Sequence, residues 1–561
     1  MVTSGSLKGV KMEEKVNDRV SGTPAVGEWK KTLYRCLITA AVAGILAHAF
    51  MLFNKIGWHD DFRHTFDVGG TYMSGRWALG LLASLMKSLF GMNVSLPGFN
   101  GFLSLFFIAL SAWLIILRFR IRRVLDQIFV TAIMICFPVV TATFSYMFTA
   151  PYYFFSLLCA TAGAYLVTDC LDIFLDGKKA REGTRVLDRV PGILRLAGGL
   201  LLLVFSMGIY QAYLVSAICF IFFYLFSRSL DEDTDSRRWI LTCLAAAAAA
   251  GVGLLLYFVF NKLALRWKGL EMGTYQGLNS MTQFGLTEIL SGIRNCYRTF
   301  FGIFKRGYQG LFTLGTSRKI LLILCALTVL EIVILTVAKV RSILQWIFIL
   351  SLLALSPLVL QLIVLMTSNS GGGSEVHSLM VYSLVYLFIF PIALMQKLDT
   401  LSLRAISPWM RRAVVCCLLF FTVYFTFFAN TAYFKAWIYK EQGVQFFNRL
   451  IVRVEMEEGY DPSMKVALVG TFDRDSYTHY PELDQIQIMR YTFGAFVANN
   501  SPGNNNLQTF FRYYNNFTPT LLTSDKSAAF AELPEVQEMT CYPAEGSIRI
   551  IGDTVVVKLS D

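Results

Sequence analysis

The sequence predicts an α-helical polytopic membrane protein of about eleven transmembrane helices, with a small C-terminal extracytoplasmic α/β domain. Three observations lead there. Hydrophobic residues make up 55% of the 561 and charged residues only 16%, a balance that soluble chains of this size do not carry. Apolar runs long enough to span a bilayer recur through most of the chain. From residue 431 onward the composition becomes that of an ordinary soluble domain, and about 130 residues are enough for one small core.

Residues 1–31 are polar and mixed in charge and read as a cytoplasmic tail. They are no cleavable signal peptide, because the apolar segment behind them is long enough to span. The run 33–53 leaves the cytoplasm and 98–117 returns, placing Arg118, Arg120, Arg122 and Arg123 inside. The runs 127–140 and 151–167 form the next pair, before a loop holding Lys178, Lys179, Arg181, Arg185, Arg189 and Arg195. Both flanks of 196–225 are basic, so this run is expected to hold two short helices bent at Met207-Gly208. The runs 239–263, 320–338, 343–366, 379–395 and 413–430 complete the membrane domain, residues 32–430. The N-terminus is then inside and the C-terminus outside. The net charge of +12 belongs to the cytoplasmic loops and does not point to nucleic acid.

The external segments carry further structure. Residues 76–90 are expected to form an amphipathic helix lying in the membrane interface. So is the segment with Ile289, Ile293, Cys296, Tyr297, Phe300 and Phe301 at helical spacing, accompanied by Arg294, Arg298, Lys305 and Arg306. In the tail, 431–561, residues 437–458 read as a helix continuing from the last span, 465–472 as a buried strand and 548–559 as a hairpin turning at Gly552-Asp553. Residues 499–506 read as a loop. Most of the 11 cysteines sit in apolar runs, as buried thiols do; Cys296 and Cys541 fall outside, which leaves a disulfide between them open. Their spacing gives no zinc site.

The chemistry centres on His59-Asp60-Asp61, just beyond the first span. One Asp there could cap a short helix, but capping needs only one. Two carboxylates at the outer membrane surface suit a general base that takes a proton from an acceptor hydroxyl. Arg63, His64, Asp67 and Arg76 follow closely. Guanidinium groups bind phosphate through paired hydrogen bonds, so Arg63, His64 and Arg76 are candidate phosphate contacts, with headgroup anchoring the other reading. A sugar phosphodiester leaves as a stable anion, so one base and several cations suffice, whereas cutting a sugar–sugar bond needs a second carboxyl. Tyr146, Tyr152 and Tyr153 lie at the end of a helical hairpin, a depth usual for aromatic belts. Tyr210 and Gln211 in "MGIYQAYL" sit inside an apolar run, where Gln needs a partner; sugar binding and a structural hydrogen bond are both open. Lys305 and Arg306 are candidate donor-phosphate contacts. The glycine-rich segment 367–378 contains His377 and Glu375 and could fold over a substrate; Glu375 is a candidate second carboxylate. A divalent cation, Mg²⁺ or Mn²⁺, held by the paired Asp residues is open.

The "HDDF" at residues 59–62, the "GRW" at 75–77, "YMFTAPYYFF" at 146–155, "GIYQAYLV" at 208–215 and the α/β tail together resemble the type II Gtr glucosyltransferases, bacterial polytopic enzymes that decorate O-antigen or other surface polysaccharides. The resemblance covers nearly the whole chain and rests on motif order. It implies a GT-C-like fold, a polyprenyl-phosphate sugar as donor and a catalytic Asp in the first external loop, which maps onto Asp60 or Asp61. It implies a hexose, most plausibly glucose, passed to a cell-envelope glycan at the outer face of the bacterial cytoplasmic membrane. A transporter or flippase of a lipid-linked sugar is the alternative. It should show midplane polar groups and an internal repeat, and neither stands out. A scaffold would need far fewer spans.

Overall fold

Hydropathy dictates the first layer of structure, because a bilayer accepts a backbone only where its polar groups are paired within a helix. The structure, a computed structural model, describes residues 27–56, 59–176, 191–231, 236–273, 285–367, 376–401, 406–471, 480–486 and 505–561. Among these, nine helices are long and apolar enough to cross a membrane: Glu28–Phe53, Pro97–Arg118, Val124–Phe144, Ala150–Asp172, Gly192–Ile209, Arg237–Lys268, Gly315–Lys339, Ile343–Leu360 and Ser407–Glu455. The two other expected spans coincide with the shorter apolar helices Tyr213–Ser229 and Tyr382–Leu398. The protein is thus a polytopic helical membrane protein. The basic loop expected at 178–189 and the segment 368–375 lie outside the described residues.

The run 196–225 does hold two helices, Gly192–Ile209 and Tyr213–Ser229, but the chain opens two residues beyond Met207-Gly208, at an extended Tyr210. Gly208 stays helical for a packing reason. A Cβ there would lie 2.6 Å from the Trp77 ring, so glycine lets the Trp77–Phe90 helix seat against it. The helix Leu286–Arg306 is amphipathic as expected, burying Gly292, Cys296, Phe300 and Ile303, while Phe301 faces out. Cys296 and Cys541 are both free thiols, so the disulfide left open between them is absent.

Several polar residues inside the bundle are paired, which offsets the cost of burying them. His48 bridges the Tyr433 hydroxyl at 2.8 Å and the Ile135 carbonyl at 2.9 Å. Arg118 donates to Asp172 at 2.7 Å and to Thr168 at 2.8 Å. Arg195 meets Asp169 at 2.5 Å. These contacts fasten neighbouring helices at fixed depth.

The last spanning segment does not end at residue 430. Ile406–Glu455 is one helix of 50 residues, carrying through the position where span and tail were divided. It leads to a four-stranded sheet of order β2-β1-β4-β3, with β1 Lys465–Val469, β2 Thr520–Leu521, β3 Ile548–Ile551 and β4 Thr554–Lys558. β1 runs parallel to β2 and β4, and β3 closes an antiparallel hairpin with β4. The hairpin turns at Gly552, whose φ of +64° suits glycine. One sheet face packs on Phe446, Phe447, Leu450, Ile451 and Val454 of the long helix and on the helix Asn505–Tyr514. Val536 and Met539 cover the other.

Candidate active site

The short helix His59–Arg63 holds the acidic pair in its first turn, where carboxylates favour the helix dipole. Successive helical residues point about 100° apart. Asp60, Asp61 and Phe62 accordingly turn to three different surroundings.

Asp61 turns into the bundle and is fully buried. It is ion-paired with Lys55, accepts from the Ser95 hydroxyl at 2.6 Å and from the Phe148 amide at 3.0 Å. Lys55 also donates to the Ser95 hydroxyl at 2.7 Å. A carboxylate so enclosed ties the loop to the membrane helices, and it does not line the cavity that Asp60 faces.

Phe62 turns the other way, into the core of the C-terminal sheet unit. Its ring lies 5.3 Å from that of Tyr514 and 6.3 Å from that of Phe510. The Tyr514 hydroxyl donates to the Lys55 carbonyl at 3.4 Å, and Phe66 meets Tyr513 at 6.0 Å. The acidic helix is therefore clamped between the bundle and the tail.

Asp60 turns into a cavity of about 730 Å³. Arg63, His64, Arg76, Tyr146, Tyr153, Tyr210 and His377 line it with Asp60. Two arginines and two histidines thus share one cavity with a carboxylate. His64 Nδ1 lies 2.6 Å from Asp67, whose same oxygen accepts from the Gly69 amide at 2.6 Å. Burial works against the Asp67 carboxylate, yet these two hydrogen bonds, together with the charges of His64 and Arg63, outweigh it and hold the group below its ordinary range. With Nδ1 engaged by Asp67, the second ring nitrogen of His64 is left to face the cavity side.

Arg76 is presented by a glycine turn. Gly75 adopts φ +72°, and a Cβ there would lie 2.5 Å from the Tyr257 hydroxyl. That hydroxyl donates to the Gly75 carbonyl at 3.0 Å. Gln211 donates to the Ser74 carbonyl at 2.9 Å and to Tyr257 at 3.0 Å, so it holds the turn and does not line the cavity. Arg76 in turn donates to the Tyr153 hydroxyl at 3.0 Å and lies 5.5 Å from the Tyr210 ring. Tyr153 and Tyr210 stack at 4.1 Å. The Tyr210 hydroxyl is buried without a hydrogen-bond partner among the described residues, at the wall of the cavity.

Of the candidate residues, then, Asp60, Arg63, His64, Arg76, Tyr210 and His377 meet at one cavity. Lys305 and Arg306 sit exposed at the end of their helix and do not line it. Glu375 lies outside the described residues. Sequence reading assigned no role to Lys55, Ser95, Tyr257 or Phe62, and their partners are 34 to 459 residues away in three of these cases. Among the described residues no group of three or more His, Cys, Asp and Glu side chains is placed to hold a metal ion.

A family model for glucosyl transferase GtrII matches residues 49–392, more than half of the chain, including the acidic helix and every cavity-lining residue named above. The chain belongs to the GtrII glucosyltransferase family. The match ends before the Ile406–Glu455 helix and the sheet. No curated protein and no solved structure matches the chain. As a GtrII glucosyltransferase, it uses a sugar donor and an acceptor at a membrane.

Proposed function

We propose that this GtrII protein has a GT-C-like architecture and transfers glucose from a polyprenyl-phosphate donor to a cell-envelope glycan. The transfer takes place at the outer face of a bacterial cytoplasmic membrane. The observation that carries the reading is the cavity in which Asp60 faces Arg63, His64, Arg76 and His377. A second cavity, of about 450 Å³ and apolar, is walled by Leu82, Met86, Phe99, Leu103 and Phe107 and shares Val68 and Phe148 with the first. A donor with a charged head and an isoprenoid tail needs such a polar–apolar pair side by side.

In this mechanism Asp60 takes the proton of the acceptor hydroxyl, whose oxygen attacks the anomeric carbon of glucose. The bond from that carbon to the phosphate oxygen breaks, and polyprenyl phosphate leaves with the electron pair. Arg63 and Arg76 hold the phosphate, their hydrogen bonds offsetting its lost hydration. Stacked Tyr153 and Tyr210 keep the Arg76 guanidinium in place. A second reading of the base is favoured by one contact: His64, oriented by Asp67, has the geometry of a base held by a carboxylate. The test is turnover of purified protein with undecaprenyl-phosphate-glucose and a candidate glycan, with and without EDTA. Loss of transfer in Asp60→Asn but not in His64→Asn selects Asp60, and the converse selects His64. Undiminished transfer in both variants rejects this site.

A further inference from the structure

The Pro97–Arg118 helix begins two residues after Ser95, which bonds Asp61, and its 22 residues carry the chain about 33 Å to the far end of the bundle. At that far end lies another cavity, of about 560 Å³. Arg118, Arg120, Arg122, Arg123, Arg228, Lys339 and Lys397 line it, and the carboxylates among its described lining residues are Asp231 and Asp399. These cations come from the ends of four helices and from the connection 119–123, so the fold gathers charges that repel one another.

Several are already neutralised. Arg118 pairs with Asp172, Arg123 with Asp399, and Lys397 with Asp231 at 2.5 Å. Arg120, Arg122 and Lys339 have no carboxylate partner among the described residues. Arg120 stands at the end of its helix with φ +55°, a left-handed cap usually given to glycine. The Ile121 amide bonds back to the Ile116 carbonyl at 3.0 Å to close that cap. An arginine kept where glycine would fit more easily indicates that its side chain has a task.

Scattered surface cations would meet lipid headgroups one at a time. Three unneutralised cations lining one cavity instead fit a single multiply hydrogen-bonded anion. We propose that this cavity binds a phosphate group, and that its source is the headgroup of an anionic phospholipid at the membrane face opposite the candidate active site. Guanidinium and ammonium groups between helix ends are suited to such headgroups. Bound there, the phosphate draws together the ends of the Pro97–Arg118, Tyr213–Ser229, Gly315–Lys339 and Tyr386–Leu398 helices.

The test uses the purified, delipidated full-length protein. Phosphatidylglycerol, phosphatidylcholine and inorganic phosphate are titrated separately, with thermal stability and native mass spectrometry as readouts. Phosphatidylglycerol is expected to raise the melting temperature and remain as a bound adduct, while phosphatidylcholine does neither. The triple variant Arg120→Gln, Arg122→Gln, Lys339→Gln should bind phosphatidylglycerol on the order of 100-fold more weakly. A response to inorganic phosphate as strong as that to phosphatidylglycerol, lost in the same variant, supports the phosphate site and transfers its source to the free ion. Equal binding of both lipids, or equal binding by wild type and variant, overturns the proposal. Should the triple variant not fold, Arg122→Gln alone serves, since Arg122 is exposed and outside every helix. Competition of the wild-type phosphatidylglycerol adduct by inorganic phosphate provides the same decision without any variant.

Discussion

At the scale of single residues, the two neighbouring carboxylates of the acidic helix have opposite surroundings and should fail in opposite ways. Asp60→Asn is expected to lower glucose transfer about 10²- to 10⁴-fold with the melting temperature unchanged, measured on purified protein. Asp61→Asn should instead lower the melting temperature. It leaves Lys55 facing a neutral amide, though Lys55 keeps some water contact and the loss should stay below the ~3–5 kcal/mol of a fully buried broken pair. A common loss of activity without loss of stability in both would contradict this division. Asp67 adds a pH dependence. Its folded-state pKa is lowered, so the clasp on His64 and Gly69 contributes fully above about pH 4, the ordinary carboxylate range, and is lost as pH falls through the lower folded value. Asp67→Asn should therefore reduce thermal stability near neutrality but leave a smaller difference from wild type in strong acid. At this scale the sequence was legible for residue type and not for direction. "HDDF" announces two acids beside an aromatic, yet only the partners Ser95, Phe148 and Tyr514 decide which acid is buried and which faces the cavity.

At the scale of elements, the acidic helix depends on the tail for its position. Phe62 is almost fully buried among Phe510, Tyr514 and their neighbours. Phe62→Ala should cost about 3–5 kcal/mol of local packing and lower transfer, although Phe62 touches no substrate in the proposed mechanism. A Phe62→Ala, Tyr514→Ala double variant should lose less than the sum of the single variants, as contacting pairs do. Additive losses in initial rate would show that the clamp does not couple the two. The elements themselves were well marked in the sequence. The hairpin turning at Gly552-Asp553, the strand from Lys465 and the amphipathic Leu286–Arg306 helix follow from period and turn chemistry alone. The chain opening after Ile209 was displaced because Gly208, a helix breaker by propensity, is kept helical by the Trp77 ring that fills its vacant side. Lys305 and Arg306 share a polar helix face, and periodicity does not say how far that face stands from Asp60.

At the scale of the whole molecule, the basic cluster and the cavity that holds Asp60 lie at opposite ends of the bundle, and sidedness can be tested directly. With native thiols replaced, a cysteine at Ser524 should be labelled from outside intact cells and one at Arg122 should not. Labelling of both would overturn the proposed orientation. Charge spacing in the loops made this division legible from sequence, whereas the joining of bundle, acidic helix and sheet was hidden, since it depends on contacts such as Tyr514 with Lys55. The 50-residue helix Ile406–Glu455 makes that joining a matter of rotational phase. Its lower part is keyed to the bundle by Tyr433 against His48, and its upper part carries the sheet on Phe447 and Leu450. Because no loop intervenes, one residue inserted between Tyr433 and Phe446 would swing the sheet by about 100° and raise it about 1.5 Å, taking Tyr514 off Phe62. Seven residues, close to two full turns, would restore the azimuth but lift the sheet about 10 Å. Transfer should therefore fail for both insertions, while a chain whose sheet merely floated beside the membrane would tolerate either: the helix works as a drive shaft whose timing is cut into its length.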